Sequence, residues 1–313
     1  MSRRTVLAAA VTAAAAAALT LPGAASADPV LGTPQPCVRV ADVTGPDFEV
    51  RQCGVSDVDQ FRAGFAGNGN THCGPASLYN VLHYWGHEKK APVGWLTTKV
   101  KDLDPKDPAD YGIVTNSIGR IATDAGWSAK SGSSAGGLRA AWNVAVKPAL
   151  NAGWSASTGA VSTATATDFA GELAKKLNQG PVQMWYGRYV TGPQSSMVRD
   201  GGHIVTVVQA KGSFGGDVVQ LKLADPGRAA DSGDPGYLDT QSQYEALNVT
   251  LVRRSVFEYV PVKDDEATPV DESKQPGTYR TVERWELSGP EYIGSSRPMV
   301  EGFNWFVMSP PVG

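Results

Sequence analysis

An α+β fold is what the order of patterns along this 313-residue chain predicts. Helical periodicity fills the first half, β-branched runs fill the stretch after residue 180, and Gly180-Pro181 marks the change between them. Helices first and strands afterwards imply an antiparallel sheet, not alternating βαβ units. With 42% hydrophobic and 19% charged residues the chain can build a sizeable core and does not read as disordered.

The elements follow in order. Residues 1–27 carry the parts of a secretory signal: Arg3-Arg4, an Ala-rich apolar run from Val6 to Leu21, and Ala25-Ser26-Ala27 before Asp28. The run is too short and bland for a stable membrane span. The paired arginines resemble a twin-arginine signal. The expectation is a secreted chain, exported by that route, with no stable membrane anchor. Residues 28–59 form a loop-rich extension containing Cys37 and Cys53. A catalytic domain is expected over 60–262, a charged linker over 263–277, and a tail over 278–313. Trp285, Phe303, Trp305 and Phe306 imply that the tail folds back onto something.

Within the domain a helix is predicted over 74–85, because Leu78, Leu82 and Trp85 recur at i, i+4 and i+7 and Gly86 offers a stop. Further helices are predicted over 116–126, 138–150 and 168–178. The last has Phe169, Leu173 and Leu177 at four-residue intervals. The Ser-, Thr- and Ala-rich stretch 155–167 reads as a surface connection. Strands are predicted over 182–186, 203–208, 217–223 and 247–260.

The chemistry begins with exclusions. With 28 basic and 31 acidic residues and no basic block, nothing resembles a nucleic-acid footprint. Three cysteines cannot build a four-cysteine zinc site or a disulfide-rich miniature scaffold. In an oxidising compartment a bridge between Cys37 and Cys53 would add roughly 3 kcal/mol by restricting the unfolded chain. Cys73 is then the free thiol, and it stands at the start of the 74–85 helix. There the helix dipole and free N–H groups favour thiolate and can donate to an oxyanion.

A nucleophilic thiol needs a base, and there are four histidines: His72, His83, His87 and His203. His72 adjoins the thiol, but sequence neighbours rarely face each other for proton transfer. His203 follows Asp200-Gly201-Gly202 and opens an apolar strand. A hairpin to the next strand brings Asp225 alongside it, where a carboxylate can fix the imidazole's orientation.

The segments Cys73-Gly74-Pro75-Ala76-Ser77, Leu82-His83-Tyr84-Trp85-Gly86, Gly201-Gly202-His203-Ile204-Val205 and Ala224-Asp225-Pro226 together resemble the papain-like cysteine peptidases. Within these they are closest to the bacteriocin-leader-processing type and its secreted relatives. The resemblance spans about residues 60–230. It implies a Cys-bearing helix packed on an antiparallel sheet, a peptide or protein substrate and no cofactor. It also implies Cys73 as nucleophile, His203 as general base and then acid, and Asp225 as the orienting residue. The family's oxyanion glutamine, six residues before the cysteine, is Gly67 here. Asn70 and Asn68 are the candidate replacements, and Gln60 stands further upstream. Losing such a donor costs on the order of 100- to 1000-fold in rate.

Competing readings remain open. The same chemistry with an amine acceptor would make the chain an acyltransferase. A non-catalytic relative would use the cleft to bind peptide or cell-wall material. Gly132-Ser133-Ser134-Ala135-Gly136 matches the G-x-S-x-G elbow, but no apolar strand precedes it. His83 and His87 are four apart, yet Gly86 lies between them and no H-E-x-x-H pattern exists, so no metal site is expected. Residues 28–60 or the tail covering the cleft would make the chain a zymogen.

Overall fold

The computed structural model describes residues 37–62, 64–94, 108–227, 247–261, 277–289, 292 and 294–312. All of them belong to the single compact unit Gln35–Gly313. The signal segment 1–27 and the linker residues 262–276 lie outside the described residues.

The chain is α+β, with an antiparallel sheet. Its elements are β1 (Val40–Asp42), β2 (Asp47–Arg51), α1 (Cys73–His83), α2 (Pro108–Asp124), α3 (Ala135–Ala145) and α4 (Lys147–Asn151). After these come β3 (Ser155–Ser162), α5 (Phe169–Gln179), β4 (Val182–Thr191), β5 (Met197–Ser213), β6 (Val218–Ala224), β7 (Leu247–Pro261), β8 (Gly277–Ser288) and β9 (Arg297–Ser309). Pairing follows β1-β2-β5-β4-β9-β8-β7-β6, and β6 also pairs with β5. Strands β4 to β9 therefore close into a ring, joined between β8 and β9 by the pairs Trp285↔Val300 and Glu286↔Met299. The 17 residues of β5 make this possible: its first part pairs with β4 and its second with β2 and β6.

Two cores lie on opposite faces of this sheet. One collects Val182, Met184, Val205, Val207, Leu221, Leu251 and Phe303 with the apolar face of α5. The other packs α1, α2 and α3 against Ile204, Val208 and Phe306. Alternation along β5 explains the division, since Val205 and Val207 face one core while Ile204 and Val208 face the other.

Helix α1 is buried on every side from Gly74 to His83, more than the one-sided apolar stripe required. Some of its polar groups are matched, while the Tyr79 hydroxyl and the Asn80 Nδ2 have no hydrogen-bond partner among the described residues. Ser77 and Thr206 hydroxyls lie 2.9 Å apart, and Asn80 Oδ1 accepts from the Ser56 hydroxyl and the Val58 N–H. Past His83 the chain winds on through a wide π turn to Glu88 and does not stop at Gly86. The helix expected over 138–150 is two helices, because Pro148 has no N–H to continue the first.

Three expectations about organisation are corrected. The extension contributes β1 and β2, and β2 pairs with the second part of β5. The Cys37–Cys53 bridge, with Cα atoms 5.8 Å apart, joins the residues that flank this β1–β2 pair. Residues 155–162 are not a surface connection but a strand paired along its whole length with β9. Its small residues have a packing reason: a Cβ at Gly159 would sit 2.6 Å from the Trp305 ring. Finally, the tail is not an appendage to a domain ending at 262. Its two strands complete the ring, with β9 between β4 and β8. None of the described helices is long and apolar enough to cross a membrane.

Candidate active site

Cys73 is the first residue of α1 and is partly exposed. At that position its own N–H and that of Gly74 have no partner within the helix, and Pro75 has none to offer. The helix comes very close to β5 here, since a Cβ at Gly74 would lie 3.0 Å from Leu138 and 3.3 Å from Ile204. This approach brings the Ile204 N–H to the Cys73 sulfur, which also receives the Gly74 N–H and a hydrogen bond from His203. Burial pushes the thiol pKa up, but the His203 charge and these hydrogen bonds outweigh it and hold it below its usual value.

His203 does not open its strand; it sits inside β5, opposite Tyr186 of β4. The hairpin register Thr206↔Ala224 and Val207↔Leu223 delivers Asp225 just past the end of β6. Asp225 Oδ1 lies 2.5 Å from His203 Nε2, which leaves Nδ1 as the ring nitrogen for the thiol. The carboxylate is 2% exposed and fully engaged: Oδ1 accepts from the Gly227 N–H and Oδ2 from the Tyr292 hydroxyl, each at 2.9 Å. Gly227 is needed for this geometry, because a Cβ there would be 3.1 Å from the imidazole. Burial alone would neutralise the imidazole, but the adjacent Asp225 carboxylate raises its pKa well above the ordinary value. Burial likewise opposes charge on Asp225, and the imidazolium with its three hydrogen bonds lowers its pKa all the same. All three shifts run in the direction that favours thiolate, imidazolium and carboxylate.

Tyr186 closes the back of the imidazole, edge to face at 5.5 Å, and Tyr292 packs edge to face on Tyr186. Desolvation pushes the Tyr186 hydroxyl up to about 12 and that of Tyr292 further still, so both remain donors throughout the working range.

The expected triad residues Cys73, His203 and Asp225 are brought together. Of the two candidate oxyanion donors, Asn70 lines the cleft and Asn68 does not. Asn68 is exposed in the short turn Ala66–Gly69, in left-handed backbone with φ 53°. Gln60 lines the cleft as well. Its side-chain Nε2 donates to the Gly69 and Asn70 carbonyls at 3.2 Å, and its N–H donates to Pro226 O at 2.9 Å. Gln60 therefore joins the loop before Cys73 to the turn after Asp225. Gly69 permits it, since any Cβ there would collide with the Gln60 carbonyl.

The cleft around these groups has a volume of ≈ 1060 Å³. Phe61, Thr71 and residues 130–136 form one wall, and Trp185, Tyr186 and the 199–204 segment form the other. Ser134 lines it too, but as the N-cap of α3: its hydroxyl accepts the Gly137 N–H at 3.0 Å. His72 is 3% exposed and sandwiched between Phe65 at 4.1 Å and Trp127 at 4.3 Å. Burial lowers its pKa. His83 and His87 stack on each other at 5.1 Å, and among the described residues no group of three or more His, Cys, Asp or Glu could hold a metal ion.

Comparison with protein-family models, with curated proteins and with solved structures finds no match for this chain.

Tyr292 and Tyr186 had escaped the sequence reading. Neither belongs to a motif, and Tyr292 meets Asp225 across 67 residues of chain. The one available signal was the aromatic richness of the C-terminal segment.

Proposed function

We propose that this chain is a secreted, papain-like thiol hydrolase that cleaves peptide or protein amides through Cys73, His203 and Asp225. One observation carries the reading: a single imidazole spans a thiol at a helix N-terminus and a buried, fully hydrogen-bonded carboxylate. The pKa shifts favour it as well, because a lowered Cys73 thiol beside a raised His203 imidazole is what a thiolate–imidazolium pair requires. The Cys37–Cys53 bridge accords with an oxidising compartment.

In this reading the Cys73 thiolate adds to the substrate carbonyl carbon, and the C=O electron pair moves onto oxygen. That oxyanion meets the Cys73 N–H, with Asn70 supplying a side-chain amide, since both N–H groups of the Gln60 amide are held by the Gly69 and Asn70 carbonyls. Collapse of the adduct breaks the C–N bond while His203 gives its proton to the leaving amine. An acyl-enzyme remains. Water then attacks the thioester as His203 takes the water proton, releasing a carboxylic acid and restoring the thiolate–imidazolium pair. Asp225 keeps its charge throughout and holds the ring so that Nδ1 faces the sulfur.

The test is digestion of a denatured protein mixture by the exported chain in H₂¹⁸O, with Cys73→Ala as control. New C-termini carrying ¹⁸O, absent from the control, support hydrolysis. New termini joined to an added amine without ¹⁸O would mean acyl transfer. No new termini from the wild-type chain would overturn the catalytic reading.

A further inference from the structure

The charges in the cleft do not balance. Asp225 is committed to His203, and Glu301 to Arg199, with Nε–Oε1 at 2.8 Å and Nη2–Oε2 at 3.2 Å. Tyr189 adds a third bond to Glu301. Two cations on the lining, Arg188 and Lys130, make no ion pair among the described residues, and both are exposed. They stand out in a chain whose net charge is −3.

Arg188 is also placed with care. It lies where the β4–β5 register slips between Gly187↔Gly202 and Tyr189↔Arg199, so that one residue of β4 faces Asp200 and Gly201 together. Such a bulge re-aims a side chain. Gly201 takes the left-handed conformation at φ 92°, and a Cβ there would be 3.0 Å from Arg188 Nη2. The glycine thus lets the guanidinium lie against the backbone two residues from His203. Asp200, directly across the bulge, forms no ion pair with it. A planar fork of N–H donors, seated at the cleft and left without an acceptor, fits a carboxylate.

Building on the hydrolase reading above, we propose that Arg188 selects substrates bearing a carboxylate within one or two residues of the scissile amide, with Lys130 on the opposite wall adding to the attraction. Arg188 stands two positions along the strand from Tyr186, the cross-strand partner of His203, a step of about 7 Å. That step is the span of about two residues of extended peptide. The carboxylate is an acidic side chain or the substrate's own C-terminus.

The test is equilibrium binding, so that it does not depend on turnover. Fluorescein-labelled alanine hexapeptides with one Glu, Gln or Lys at each position, as free acids and as C-terminal amides, are titrated into the Cys73→Ala protein. The expected result is about 10-fold tighter binding of a carboxylate peptide than of its amide counterpart, the size of one charge-assisted hydrogen bond at an open site. Adding Arg188→Gln should bring that ratio to near one, and Arg188→Glu should turn the preference to Lys peptides, a reversal that misfolding does not produce. A ratio carried by Glu identifies a side-chain carboxylate, and one carried by the free acid identifies a C-terminus. An acid-to-amide ratio equal in the Cys73→Ala protein and its Arg188→Gln derivative would overturn the proposal, as would no binding of any peptide. Failure of the wild-type chain to cleave anything, with the binding preference intact, would instead sink the hydrolase reading alone.

Discussion

The two walls of the cleft each bring a histidine towards Cys73, and they treat it in opposite ways. His72, on the helical wall, precedes the thiol in the chain and is pressed between Phe65 and Trp127, where burial lowers its pKa. His203, on the sheet wall, lies 131 residues further along and is partly buried, yet its pKa is raised because a buried carboxylate holds Nε2. Desolvation lowers the pKa of both, so the opposite outcome comes from the partner. A histidine packed on rings stays neutral and serves as core. A histidine locked to a carboxylate becomes a cation that can hold a thiolate and later return a proton.

Substitutions can break this contrast or sharpen it. The largest effect is expected for His203→Ala, which removes both the proton carrier and the counter-charge. Turnover of any peptide found to be cleaved should fall by at least about 10⁴-fold, measured as kcat/KM. Next is Asp225→Ala, with a loss of about 10²- to 10⁴-fold in the same assay, because the imidazole loses its charge partner and its orientation. Tyr292→Phe should cost about 10-fold, the value of one hydrogen bond to a buried carboxylate. It should also raise the pH at which the Cys73 thiolate forms, because a looser Asp225 holds the imidazolium less well. Tyr292 is a positioning residue, and a purely structural role would change the melting temperature without moving that pH. The smallest effect belongs to His72→Phe, which keeps the stack and should leave kcat/KM within about 3-fold. A loss as large as that of His203→Ala would mean that the wrong histidine had been named.

What the sequence made legible was local. The helix behind Cys73 announced itself through Leu78, Leu82 and Trp85, and the His203 strand through its β-branched run. The Asp225 pairing could be read because a hairpin is a short-range device, with the partners 22 positions apart. Long-range packing was hidden. Strand β3 is mostly Ser, Thr, Ala and Gly, and the Trp305 ring that requires its Gly159 lies far along the chain, so nothing local marks it as a strand. Strands β8 and β9 looked like a tail because the pairing that makes β9 central joins it to β4 more than a hundred residues earlier. The oxyanion side was half visible. Asn70 reaches the cleft, but the buried amide of Gln60 is positioned by contacts with Gly69 and Pro226 that no spacing rule connects.

The central claim is that His203, not His72, sets the charge on Cys73. It is tested most directly by the pH dependence of Cys73 alkylation with iodoacetamide in the wild-type chain, His203→Ala and His72→Phe. A lowered thiol pKa keeps the thiolate, and hence the rate, high as pH falls below 8, and the rate drops only when pH passes through that lowered value. Fast labelling below pH 8 in the wild-type chain and in His72→Phe is therefore expected. In His203→Ala the rise should be displaced to about pH 8.5 or above, the ordinary thiol range. Superimposable profiles for the wild-type chain and His203→Ala, or a displacement only in His72→Phe, would contradict the account.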